Sequence, residues 1–132
     1  MGDDRLKILV VDDEMYVRLI VKAYLSPYKV EIIEAVDGKE GLDILREDYA
    51  EIDLVILDNT MPMMTGQEVL DEMNNDENLG KIPVIVYTAG GIGRDLEAHL
   101  KVSSSAFLEK SNLGDDLIPT IKGILGDRLE NN

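Results

Sequence analysis

Four apolar runs in this chain stop at residues suited to phosphoryl chemistry. Lys7-Val11 runs into Asp12 and Asp13, Leu54-Leu57 into Asp58, Val84-Tyr87 into Thr88, and Ala106-Glu109 into Lys110. If those runs are parallel strands, three carboxylates, a hydroxyl and an ammonium converge on one sheet edge. Carboxylates gathered in one place repel each other, and burial drives at least one toward neutrality unless a cation offsets the charge. A hard divalent ion removes that conflict. All-oxygen ligation with few carboxylates suits Mg2+, and Mn2+ for the same reason. Phosphoryl transfer needs charge stabilisation and in-line positioning more than it needs an acid or a base.

The elements that must position these residues are visible in the spacing. The runs, with Val30-Ala35 as a fifth, are short, rich in Val and Ile, and lack alternation, as strands covered on both faces do. Helical patterns lie between them. Glu14-Leu25 carries Val17, Ile20, Val21 and Leu25 and stops before Ser26-Pro27, because Pro27 disfavours helical geometry in the residue before it. Gly38-Arg46 opens from an Asp37-Gly38 turn and sets Leu42 and Leu45 on one face. Thr65-Met73 has Thr65 as N-cap and turns Val69, Leu70 and Met73 inward. Asp95-Val102 is weaker, with Leu96 and Leu100. Leu117-Leu129 offers Leu117, Ile121, Ile124, Leu125 and Leu129.

This alternation predicts an α/β fold, a doubly wound five-stranded parallel sheet flanked by five helices and joined by right-handed crossovers. The natural strand order is 2-1-3-4-5, with its switch point between strands one and three. Ligands in such sheets sit beyond the carboxyl ends of the strands at that point, where Asp12, Asp13 and Asp58 are expected. Thr88 and Lys110 arrive on the same side. Strand two ends at Ala35 and is expected to contribute nothing.

With 132 residues and 45% hydrophobic side chains, the chain matches one domain with a sizeable core. Its net charge of -14 repels nucleic-acid backbones and anionic lipid headgroups, so neither nucleic acid nor membrane is an expected partner. The absence of cysteine excludes a disulfide framework and a thiolate metal site, in keeping with a cytoplasmic protein. Met1-Gly2-Asp3-Asp4-Arg5 has an acidic pair where a secretory signal carries basic residues, and Leu6 stands where a myristoylation motif wants Ser or Thr.

Four segments carry a resemblance: Ile8-Leu9-Val10-Val11-Asp12-Asp13-Glu14, Leu57-Asp58-Asn59-Thr60-Met61-Pro62-Met63-Met64-Thr65-Gly66, Pro83-Val84-Ile85-Val86-Tyr87-Thr88-Ala89 and Phe107-Leu108-Glu109-Lys110. In this order and spacing they resemble the receiver domain of two-component response regulators, closest in architecture to single-domain chemotaxis-type regulators. The resemblance covers about residues 5–126. It implies a flavodoxin-like fold, a single receiver domain over 1–132, and a phosphorylation-controlled signalling switch. Such a domain catalyses only its own phosphotransfer and dephosphorylation.

By that resemblance Asp58 is the phosphoacceptor, taking its phosphoryl group from a histidine kinase or phosphotransfer protein. Asp13, Asp58 and the backbone carbonyl of Thr60 would bind Mg2+ directly, and Asp12 through a water. Thr88, the Ala89 N–H and Lys110 would engage the phosphoryl oxygens. Phe107 holds the place of an aromatic residue that rotates inward on phosphorylation and alters the face made by the fourth helix, fifth strand and fifth helix. A downstream protein target would read that face, with the chain a monomer or a phosphorylation-dependent dimer.

The chain departs from the family pattern at several positions. Ser111 replaces a usual cis-proline and is expected to loosen the loop that aims Lys110. Phe107 lacks the phenol common at its place, Ser103-Ser104-Ser105 replaces a Gly-Ala lead, and Asn59 puts an amide beside the acceptor. A phosphohydrolase of the haloacid dehalogenase type is disfavoured because Thr60 stands where it needs a second aspartate. A phosphorylation-independent adaptor is disfavoured by Asp13, Asp58 and Lys110. His99 reads as a surface residue, Met61, Met63 and Met64 as core and loop residues, and Gly90-Gly91-Ile92-Gly93 as a loop with freedom to move after Thr88 rather than a nucleotide cradle.

Overall fold

The computed structural model describes residues 5–132, so the readings made on Met1 to Asp4 lie outside the described residues. Strands and helices alternate along the chain as β1 (Leu6–Val11), α1 (Met15–Leu25), β2 (Val30–Ala35), α2 (Gly38–Asp48), β3 (Leu54–Asp58), α3 (Gly66–Asn74), β4 (Val84–Thr88), α4 (Arg94–Ser103), β5 (Ala106–Glu109) and α5 (Leu113–Leu125). All strand pairs are parallel, in the order β2-β1-β3-β4-β5. The expected flavodoxin-like receiver fold is the one observed.

Strand pleating divides the core in two, since successive side chains point to opposite faces. Leu6, Ile8 and Val10 of β1, Leu54 and Ile56 of β3, and Ile85 and Tyr87 of β4 pack under α1 and α5 against Val17, Val21, Leu117 and Ile121. Leu9, Val11, Val55, Leu57, Val84 and Val86 face the other way, against Leu42, Leu45, Val69, Leu70, Met73 and Leu100 of α2, α3 and α4. Burial of each such Leu, Ile or Val side chain contributes roughly 1.5–3 kcal/mol. With both faces covered, the polar strand ends are left to line the sheet edge.

The register determines which residues share that edge. Val11 lies opposite Leu57, so one step further brings Asp12 level with Asp58. Asp58 in turn lies opposite Tyr87, and Tyr87 opposite Leu108. Continuing the pleat from the residues under α1 and α5, Asp12, Asp58 and Tyr87 form one row on that side, with Lys110 just beyond it.

Four helices end within two residues of their expected spans, and the fifth differs by more. α5 begins at Leu113 and contains Pro119, and its C-cap is Gly126 at φ 60°. The left-handed cap ends the helix before Leu129. Leu129 extends the spacing of Leu117, Ile121 and Leu125 and is buried, but it follows a short 3-10 turn, Gly126–Arg128. Apolar spacing alone cannot distinguish a continued helix from a chain that turns and still covers the same core.

Candidate functional site

The acidic residues come from two adjacent strand ends. Asp12 and Asp58 are fully buried and Asp13 is exposed, and all three can present carboxylate oxygens within 4.8 Å of one another. Asp12 is held at both oxygens. Its Oδ1 accepts the Glu14 N–H at 2.8 Å and its Oδ2 accepts the Tyr87 hydroxyl. Arg18, buried on α1, donates to the Asp12 backbone carbonyl at 2.6 Å and to Glu34 of β2 at 2.9 Å. The Asp12 N–H reaches the Ala35 carbonyl at 3.1 Å. β2 therefore braces the acidic loop, contrary to the expectation that it contributes nothing.

Asp58 is held at one oxygen. Oδ1 accepts the Thr60 N–H at 3.0 Å, while Oδ2 is the one buried side-chain polar atom without a hydrogen bond among the described residues. Burial first, and then the charge of Asp12, pushes the Asp58 carboxyl up to about 6, against the opposing pull of the Thr60 N–H and Lys110. An unpartnered carboxylate oxygen in a cluster of hard oxygen donors fits a divalent cation. It is also the atom that a nucleophile must leave uncovered.

The loop after Asp58 is rigidly built. The Thr65 hydroxyl accepts the Glu68 N–H and the Glu68 carboxylate accepts the Thr65 N–H, the reciprocal box that starts α3. The side-chain oxygen of Asn59, largely buried, accepts the Gln67 N–H at 3.1 Å, so the amide next to Asp58 serves the same helix start. A Cβ on Gly66 would lie 2.5 Å from the Asp58 carbonyl oxygen and 2.6 Å from Asn59 Cα, so the backbones meet only because this residue is glycine. Met61 is buried and Met63 is exposed at φ 67°, which agrees with core and loop roles.

Lys110 reaches into the row from the end of β5. Its Nζ lies 3.1 Å from Glu14 Oε1, 3.5 Å from Asp58 Oδ2 and 3.7 Å from Asp12 Oδ2, and 5.4 Å from the centre of the Tyr87 ring. Burial alone would lower the Lys110 ammonium, but the hydrogen bond it donates to Glu14 and the charges of Asp58 and Asp12 outweigh it and raise it. The hydrogen bond accepted from Lys110 holds the half-buried Glu14 carboxyl below its usual range. Lys110–Asn112 form a 3-10 turn leading into α5, with no cis peptide among the described residues. The loosening expected from Ser111 is countered at the tip of Lys110, where three carboxylates and a ring fix it.

Thr88, buried at the end of β4, continues the face of Val86, and its hydroxyl accepts the Gly90 N–H at 3.3 Å. Ala89 and Thr60 are exposed at the same edge. Phe107 lies opposite Val86 and is half-buried at the rim of the α2, α3 and α4 side, with the Lys101 ammonium 5.7 Å from its ring centre. Asp12, Asp13, Asp58 and Lys110 are thus brought together, with Thr88 at the adjoining strand end. Phe107 lies one strand further along and below the edge. His99 is exposed but not idle, pairing with Asp71 of α3 at 2.9 Å. In the serine run, Ser104 Oγ donates to the Leu100 carbonyl and Ser105 Oγ accepts the Val84 N–H, fastening the end of α4 to β4.

Sequence reasoning missed Glu14, Arg18 and Tyr87 as members of the site. Tyr87 was the most accessible of the three, because strand alternation sets it level with Asp58 and on the same side.

A family model for the response regulator receiver domain matches residues 8–122. The chain belongs to this family. The receiver domain is 33% identical over 125 residues to a probable transcriptional regulator, ycf27, of Porphyra purpurea, covering 95% of this chain and 49% of that protein. It spans about half the length of several curated relatives it matches. The polar-differentiation response regulator DivK of Brucella ovis is 32% identical over 120 residues, covering 91% of this chain and 95% of DivK. Among solved structures, response regulator TrrA of Thermotoga maritima, in complex with Mg2+ and BeF, superposes with a TM-score of 0.78 at 31% identity, covering 90% and 98% of the two chains. Chemotaxis protein CheY4 of Vibrio cholerae gives 0.79 at 26%, covering 91% and 98%. A receiver domain with this acidic pocket is a phosphoacceptor regulatory domain, a phosphorylation-controlled signalling switch typical of its family. No helix among the described residues is long and apolar enough to cross a membrane.

Proposed function

We propose that this receiver domain accepts a phosphoryl group from a histidine kinase or phosphotransfer protein onto Asp58, in a Mg2+-dependent reaction, and thereby changes its binding to a downstream protein. The observation that carries the reading is Asp58 Oδ2, buried, free of hydrogen bonds and 3.5 Å from the Lys110 ammonium. This oxygen attacks phosphorus. An O–P bond forms, the P–N bond to the donor imidazole breaks, and the nitrogen keeps the electron pair. The Thr60 N–H holds the other oxygen and so aims the first.

Asp13, Asp58 and the Thr60 carbonyl would hold Mg2+, or Mn2+, with Asp12 acting through a water. When bound, the cation offsets the carboxylates and the developing phosphoryl charge. Lys110 supplies the second positive charge, and the Thr88 hydroxyl and Ala89 N–H donate to phosphoryl oxygens. The Thr88 hydroxyl accepts the Gly90 N–H and keeps its own proton free to donate. Phe107 then follows inward on the same sheet face, altering the surface of α4, β5 and α5 that a target reads. We take residues about 5–126 as one receiver unit acting in the cytoplasm, as a monomer or a phosphorylation-dependent dimer.

Intact-protein mass after incubation with acetyl phosphate, with and without Mg2+, tests the reading. The expected result is a Mg2+-dependent gain of one phosphoryl group that Asp58→Asn abolishes. Equal labelling of that variant would remove Asp58 as acceptor.

A further inference from the structure

Tyr87, like Glu14 and Arg18, belongs to the pocket without a part in the phosphoryl chemistry above. The strand that carries it is otherwise aliphatic up to Thr88, and the core at this point needs only volume. A phenol buried there must find a partner for its hydroxyl. Tyr87 is fully buried, lies directly opposite Asp58, and spans to the next strand end, where its hydroxyl donates to Asp12 Oδ2. The other oxygen of Asp12 is taken by the Glu14 N–H at 2.8 Å. The face of the same ring lies 5.4 Å below the Lys110 ammonium, close enough for a cation–π contact.

We propose that Tyr87 is a positioning residue that satisfies the second oxygen of Asp12 in the cation-free pocket and thereby sets how tightly the pocket binds a divalent cation. The inference rests on reading the pocket as a Mg2+ site. Its logic is a competition. Without a cation, the phenol donor stabilises a buried carboxylate that otherwise has the Glu14 N–H on its other oxygen and Lys110, 3.7 Å away. A bound cation offsets that charge directly, so the donor matters less in the loaded pocket than in the empty one. Removing the hydroxyl therefore raises the free energy of the cation-free state more than that of the bound state, and binding tightens.

Tyr87→Phe removes the hydroxyl and keeps the ring under Lys110. Titrating the full chain with Mg2+ by isothermal calorimetry, we expect a dissociation constant about three- to tenfold lower in Tyr87→Phe than in wild type. In an Asp12→Ala background the same substitution is expected to change nothing, because the partner is gone. A general packing defect would weaken binding, so an unchanged or weaker affinity in Tyr87→Phe overturns the inference while leaving the Mg2+ reading intact. Absence of Mg2+ binding by wild type would overturn both. Should Tyr87→Phe fail to fold, wild type with ring-labelled tyrosine gives the answer by NMR. A Tyr87 resonance that moves in step with Mg2+ binding sustains the role, and one that stays fixed while Mg2+ binds overturns it.

Discussion

On the β1 and β3 side of the pocket nearly every polar group has a fixed partner, whereas beyond β4 the chain is held at few points. Asp12 is gripped at both side-chain oxygens and at its carbonyl, Asp58 at one oxygen, and α3 begins with a reciprocal cap on a glycine that touches the Asp58 backbone. Past Thr88, Gly90 and Gly91 take φ of 99° and 75°, with nothing within 4 Å of where a Cβ would stand. Of the residues of α4 only Leu100 is buried, and Val102 is 86% exposed. That helix is tethered by exposed polar links, His99 to Asp71 and Asn74 to the Ser103 carbonyl at 3.0 Å. Sparse burial and exposed hydrogen bonds mark the end of a structure that opens at least cost. We take the difference as a division of labour, in which the geometry around Asp58 is fixed before a donor arrives and the response is directed into β4 and α4.

Substitutions on the two sides should therefore have unequal effects. The largest is expected for Gly66→Ala, whose methyl meets backbone rather than a movable side chain, at about 3 kcal/mol or more of lost stability in urea unfolding. A loss near 1 kcal/mol would show that this wall yields.

Next is Asp58 itself in metal-free protein. Its folded carboxyl is raised to about 6, above its unfolded value, so the folded state binds the extra proton. Stability is fully present below about pH 4 and falls as pH rises through 6, by about 2–3 kcal/mol. Urea unfolding in chelator across that range should show the slope in wild type and its absence in Asp58→Asn. Equal slopes would contradict a buried Asp58 carboxyl opposed by the charge of Asp12.

Arg18→Met should cost about 2 kcal/mol by leaving the Asp12 carbonyl without its donor, and it should slow labelling by acetyl phosphate as the acidic loop loosens. Loss of stability with unchanged labelling would make Arg18 a brace for the fold alone. The smallest effect is expected on the loose side. Gly91→Ala places a side chain at positive φ with open space around it, for about 1 kcal/mol. A cost matching that of Gly66→Ala would abolish the contrast between the two sides.

The strands, their order and the cluster of Asp12, Asp13 and Asp58 were legible because each chemical residue ends an apolar run, and a doubly wound sheet brings run ends to one edge. The supports were harder to see. Arg18 lies between Val17 and Leu19 in a helix, where a charged residue reads as solvated, and only the fold reveals that it turns back to the Asp12 carbonyl. Tyr87 reads as another apolar residue of a buried strand, because composition cannot show that a neighbouring strand end lies within reach of a phenol. Glu14 adjoins Asp12 and Asp13 in the chain, but its partner, Lys110, is 96 residues away. The end of α5 was misjudged for a different reason, since Leu129 satisfies helical spacing without being in the helix.

The central claim, a fixed acceptor wall and a responsive β4–α4 side, is tested most directly by amide NMR of the Mg2+-loaded protein before and after addition of beryllofluoride, a stable mimic of the acyl phosphate. Shifts concentrated in residues 88–107, with residues 14–25 nearly unmoved, are the predicted result. Changes spread equally over α1 and α4, or concentrated in α1, would contradict it.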